Sequence, residues 1–314
     1  MQLCGLAIIA LTVTCSAQET WQITRRINGG PEKSEPVVFV REGDVVSLEC
    51  RSIPNGKVAP LVGGGLQWRE IMPRLRPYDN TRGTPEPVEY RAGRKLGAGA
   101  TVDLRFGPHQ HGAHYYTVST GTATGPIAEL ISGRFKTAEP LQRAFPGRVV
   151  QVVCRPGDSY LGYLHELMGT PFIMGPGVTV SGFHQTDQRV GSDCASFAIY
   201  GRRRQGLPVL YCGPSGIVHY LKEIVAGELL PGIDGVYHSL HGNAVSTGTD
   251  GLRPGDILHF GPQVAIFYQD RGVVGKLDAA DLVLESWGNT PHVTTIRHCG
   301  FYQFPVRVMR WQGR

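Results

Sequence analysis

The sequence predicts a chain in two parts, an all-β first half followed by an α+β second half, and three observations predict it. Among its 314 residues, 42 glycines and 22 prolines make up about a fifth of the chain without a collagen period, which favours turns and short strands over long helices. From Trp21 to about Glu139, short alternating or apolar runs are broken by Gly, Pro and Asn. Beyond Pro140 the texture changes to helix-like segments followed by strands, the order expected of an α+β unit. With 41% hydrophobic and 18% charged residues, the composition excludes a chain disordered throughout, and the glycine and proline content excludes a helical bundle.

Residues 1–17 read as a signal peptide. An apolar run from Leu6 to Val13 is followed by Cys15-Ser16-Ala17, which resembles the small-x-small pattern of a signal-peptidase site, although no Lys or Arg precedes the run. Export to a periplasmic or extracellular location is therefore expected, with cleavage after Ala17 favoured over a lipid anchor on Cys15. No other segment is long and apolar enough for a membrane span. The formal charge of +5 favours an acidic surface or polymer as partner, while the lack of a basic tail argues against nucleic acid.

Removing Cys4 and Cys15 with the signal leaves Cys50, Cys154, Cys194, Cys212 and Cys299. An odd number leaves at least one thiol free, or paired between chains, in an oxidising compartment. None has CxxC spacing or belongs to a zinc-type cluster, so no metal is expected, and no cofactor either. Pairing among Cys50, Cys154, Cys212 and Cys299 is left open.

Residues 20–139 contain the strand-like runs Val37-Val38-Phe39-Val40, Val45-Val46-Ser47-Leu48-Glu49-Cys50, Leu66-Gln67-Trp68 and Tyr115-Tyr116-Thr117-Val118. The order of Cys50, Trp68 and Tyr115 resembles the immunoglobulin-like β-sandwich, except that Thr117 occupies the place of the second core cysteine. Trp68 and Tyr115 are expected to pack in a core, and residues 74–94 to form a long exposed loop.

In the second unit, residues 140–314, the strand Val149-Val150-Gln151-Val152-Val153 leads into residues 159–168, which place apolar residues at helical spacing until Gly169-Thr170-Pro171 stops them. A second helix is expected from Cys194, with Asp193 as N-cap and Arg202, Arg203 and Arg204 as a solvated C-terminal end. A cysteine at a helix N-terminus has the dipole and free N–H groups that favour its thiolate, the form that attacks carbonyls.

The strings "LMGTPFIMG", "SDCASFAIYGRRRQGLP", "RPGDILHF", "QVAIFYQD" and "LVLES", in that order, resemble the NlpC-type cell-wall cysteine peptidases, whose domain is papain-like. The resemblance runs from about Leu161 to Trp311. It implies a nucleophile at Cys194, with Gln263 at the usual histidine position and Glu285 at the third, orienting position. It further implies peptidoglycan stem peptides as substrate, an amide bond being cleaved through a thioester on Cys194 by a secreted bacterial hydrolase.

Gln263 is the departure. A glutamine amide cannot take a proton from a thiol, so Cys194, Gln263 and Glu285 alone lack a general base. His259 is the nearest substitute in sequence, but in a two-residue hairpin it faces Val264, on the sheet face opposite Gln263. His292 and His184 are the other candidates. Two functions are therefore carried forward: a cysteine peptidase or amidase, and an inactive module that binds cell-wall peptide or a protein partner because its base position is Gln263.

Overall fold

A computed structural model describes residues 21–53, 59–60, 65–119, 126–239 and 241–313. The expected signal peptide and Cys15 lie outside the described residues. The first strands are β1 (Trp21–Ile27), β2 (Val37–Arg41), β3 (Val45–Ser52), β4 (Ala59–Pro60), β5 (Gln67–Pro73) and β6 (Tyr78–Asp79). They are followed by β7 (Val88–Ala98), β8 (Thr101–Arg105), β9 (Gly112–Ser119), α1 (Pro126–Ser132), β10 (Phe135–Thr137), α2 (Leu141–Ala144) and β11 (Val149–Arg155). Next come α3 (Tyr160–Leu164), β12 (Ile173–Met174), α4 (Cys194–Arg204), α5 (Pro214–Ile217), β13 (Leu221–Glu223), β14 (Leu230–Pro231) and β15 (Tyr237–His238). The chain closes with β16 (Ile257–His259), β17 (Val264–Gln269), β18 (Leu282–Glu285), β19 (His292–Thr295) and β20 (Arg307–Trp311).

In the first half, β1, β4 and β8 pair with β3, and a six-stranded sheet runs β10-β7-β5-β9-β11-β2. Period-two alternation puts Val46, Leu48 and Cys50 of β3 inward, where they meet Trp68 of β5 and Val150, Val152 and Cys154 of β11. Trp68 is wholly buried and donates its indole N–H to the Gly99 carbonyl at 3.0 Å, which satisfies the one polar atom such a core tryptophan carries. Val149–Arg155, placed by sequence beyond the 140 boundary, is a strand of this sheet, antiparallel to β9 and parallel to β2.

In the second half, a six-stranded sheet runs β13-β20-β16-β17-β18-β19. α4 covers one face through Ile257, Val264, Ile266 and Leu284. Leu258, Ala265, Phe267 and Val283 face a second core with Ile296 and Phe301. Burial on both faces is why these strands read as nearly continuous apolar runs rather than alternating ones.

The expected fold class is corrected. The molecule is mostly β, with 39% strand against 14% helix distributed over several sheets, so an immunoglobulin-like sandwich followed by a helix-containing α+β papain-like domain does not describe it. The reason is local. Residues 159–168 form only the five-residue α3 and one 3₁₀ turn before Gly169, and α5 has four residues, leaving α4 as the one helix of more than seven residues among the described residues. Arg203 and Arg204, expected as a solvated helix end, are paired with Asp187 and the fully buried Glu166.

Candidate functional site

Asp193 begins the site. Its extended backbone and side chain cap α4, with Oδ1 accepting from the Ser196 N–H at 2.8 Å while Ser196 Oγ accepts from the Asp193 N–H at 3.0 Å, a complete capping box. Oδ2 also accepts from the Gly175 N–H at 3.2 Å, fixing the incoming loop to the helix. Cys194 is thereby held at the first helical position, in the layer between α4 and β17.

That position is nearly dry, Cys194 being 2% exposed. Burial pushes its thiol up to about 12 and the neighbouring Asp193 adds to the effect, while the backbone amides of Val264 and Ala195 oppose it. Desolvation therefore outweighs the helix terminus, and the sulfur is a protonated thiol at neutral pH.

Gly261 and Pro262 turn the chain from β16 to β17, with the Phe260 N–H donating to the Gln263 carbonyl at 2.8 Å. Gln263 is fully buried. Its Nε2 donates to Glu285 Oε2, while its Oε1 has no partner among the described residues. Glu285 is 3% exposed, and burial pushes its carboxyl up to about 7 against the hydrogen bond from Gln263. Across the β18–β19 ladder Glu285 pairs in register with His292, whose Nε2 lies 3.4 Å from Glu285 Oε1. His292 Nδ1 donates to the Thr290 carbonyl at 2.9 Å, which orients the ring with its Nε2 toward the Glu285 carboxyl.

The structure thus brings Gln263 and Glu285 into contact and adds His292 to them. It does not bring an imidazole to the sulfur. His259 is opposite Val264; its Nδ1 accepts from the Gly261 N–H at 3.2 Å, which leaves Nε2–H to donate to the Pro214 carbonyl at 2.9 Å. His184 stacks on Tyr211 with centroids 3.6 Å apart and accepts from the Thr186 N–H, and burial pushes its imidazole down to about 4.

Beside the capped end of α4 lies a cavity of about 760 Å³ whose walls include Gly175, Gly177, His184, Asp187, Asp193 and Cys212. Arg203 forms two contacts with Asp187, at 3.1 and 2.9 Å, and the Tyr211 hydroxyl donates to Asp187 at 2.7 Å, so this wall is rigid. Cys212, one of the four cysteines whose pairing the sequence leaves open, is half-buried and free. No local pattern signals that the chain from Gly206 to Gly213 folds back over the helix to expose it. Among the described residues Cys50, Cys154, Cys194, Cys212 and Cys299 are all free thiols, no group of three His, Cys, Asp or Glu residues could hold a metal ion, and no helix is long and apolar enough to cross a membrane.

Comparison with family models, curated proteins and solved structures finds no match to this chain.

Proposed function

We propose that this protein is an exported, cell-envelope binding module related to cell-wall cysteine peptidases, taking a peptide such as a peptidoglycan stem peptide without cutting it. One observation carries the reading. The ring nitrogens of His259, His292 and His184 are engaged away from the Cys194 sulfur, and the base position holds Gln263, whose amide is spent on Glu285. A thiol pushed up to about 12 with no base beside it does not attack an amide at neutral pH. The cavity beside α4 supports the binding half of the reading, since its volume and its mixed lining of Val178, Leu210, His184 and Asp187 suit a short peptide segment.

A second reading keeps one observation of its own. Glu285 and His292 lie 3.4 Å apart one strand from the Val264 amide that faces Cys194, and a movement bringing that pair to the sulfur would supply base and acid for thioester formation and hydrolysis. Mass spectrometry of peptidoglycan fragments incubated with the protein and with Cys194→Ala separates the two. The binding reading expects intact fragments in both samples and equal affinity by calorimetry. Cleavage products formed by the unmodified protein and absent with Cys194→Ala overturn it in favour of a hydrolase.

A further inference from the structure

A second cavity, of about 390 Å³, opens in the first half where β8 and β9 diverge between the two sheets. Its floor is the part-exposed ring of His114. Phe106 and Tyr116 are buried, and His114 lies over both, 5.4 Å from the Phe106 centroid and nearly parallel to Tyr116. Its rim carries Arg94, Lys95 and Arg105.

Two features mark this rim as more than a solvated face. Arg94 and Lys95 sit in an irregular stretch of β7, where Lys95 pairs with Arg69 and Ala92 with Ile71, so two residues of β7 stand against Glu70 alone. Such a bulge re-aims side chains, here toward the cavity. The ion pairs of the first half fall on other basic residues, Arg25, Arg26, Arg51, Arg74, Arg76 and Lys136 among them, and among the described residues no carboxylate comes within ion-pair distance of Arg94, Lys95 or Arg105, although Arg94 is near enough to Glu70 to favour its charged form. The two carboxylates at the cavity are already engaged, Asp103 by the Ser47 hydroxyl at 2.6 Å and Glu70 by His114 Nδ1 at 3.4 Å.

We infer that this cavity binds a saccharide bearing carboxylate or phosphate groups, its sugar face on the part-exposed His114 ring and its anion against Arg94, Lys95 and Arg105. The size suits a small-molecule site, and guanidinium groups match both anions in geometry. The inference is independent of the cavity beside Cys194.

The test is calorimetric titration of the full chain with three oligomers of matched length: a uronate oligosaccharide, a phosphodiester-linked polyol and a neutral glucan. Binding of either anionic oligomer, weakened by added salt and absent for the neutral one, is the expected result, and the oligomer that binds identifies the anion. Arg94→Gln combined with Lys95→Gln and Arg105→Gln is expected to weaken binding roughly tenfold or more, with the melting temperature little changed because all three side chains are exposed. Glu70→Gln, which removes a negative charge from the cavity, is expected to tighten it. Equal binding of the neutral oligomer, binding of neither anion, or full affinity in the triple variant overturns the proposal.

Discussion

At the scale of single residues, Cys194 shows a contest between two effects that the sequence makes visible one at a time. The N-cap Asp193 and the helix start are legible, and they predict an acidic thiol. Burial is a property of the assembled layer between α4 and β17, and it wins. A thiol moved from 9 to about 12 holds roughly a thousandfold less thiolate at neutral pH. Native alkylation at pH 7 followed by peptide mapping should therefore label half-exposed Cys212 well before Cys194. Gln263→His should raise Cys194 labelling about tenfold or more, because Glu285 waits to orient the new imidazole; unchanged labelling would mean that access to the sulfur, not the missing base, limits the site. Glu285 makes a pH-dependent prediction. Its folded carboxyl, raised from 4.5 to about 7, favours the folded state fully below pH 4.5 and loses that contribution as pH rises through 7. The loss is on the order of 3 kcal/mol, and urea titrations should find this fall flattened in Glu285→Gln.

At the scale of elements, the turns and caps were readable and the helix lengths were not. Strand parity places His259 opposite Val264, and the β16–β17 register has that pair, because the two-residue Gly261-Pro262 turn leaves one way to close the hairpin. The helical spacing of residues 159–168 was equally plain, yet α3 stops after five residues, since its apolar residues are claimed by contacts with α4 and not by a longer helix of their own. Gly201 is where α3 and α4 touch. A Cβ there would come within 2.6 Å of Tyr160 Cε2 and 2.9 Å of Leu164 Cδ2. Gly201→Ala should gain about 1 kcal/mol of helix propensity and lose more to overpacking, for a net destabilisation of about 1–2 kcal/mol. A denaturation midpoint that rises instead would show that the two helices separate easily.

At the scale of the whole molecule, the two halves read from the sequence are bound into one body by contacts between residues far apart in the chain. Glu166, fully buried, accepts from Arg155 of β11 at 2.7 Å, from Arg204 of α4 at 2.8 Å, and from the Tyr200 hydroxyl. Arg189 donates to Gln151 of β11 at 3.1 Å and to the Tyr200 hydroxyl at 3.3 Å, and Gln151 in turn donates to Tyr115 at 2.8 Å. Ile173 and Val190 of the second half belong to the same apolar cluster as Tyr78, Tyr115 and Val149. Gly112 admits a close approach between the halves, for a Cβ there would fall 2.1 Å from the Met168 carbonyl oxygen. None of this was legible, because a composition shift near residue 140 reports local texture, whereas partners such as Glu166 and Arg204, 38 residues apart, are chosen by tertiary packing. The consequence for stability is definite. Glu166→Gln leaves two arginines short of a buried charge and should cost about 3–5 kcal/mol, lowering one transition seen alike by probes in both halves. A chain ended at residue 139 lacks β11, so β9 and β2 lose the strand that joins them, and Tyr115 loses its partner Gln151. That fragment should give a poorly dispersed amide NMR spectrum, and a well-dispersed one would show that the first half folds without the strand that ties it to the Cys194 site.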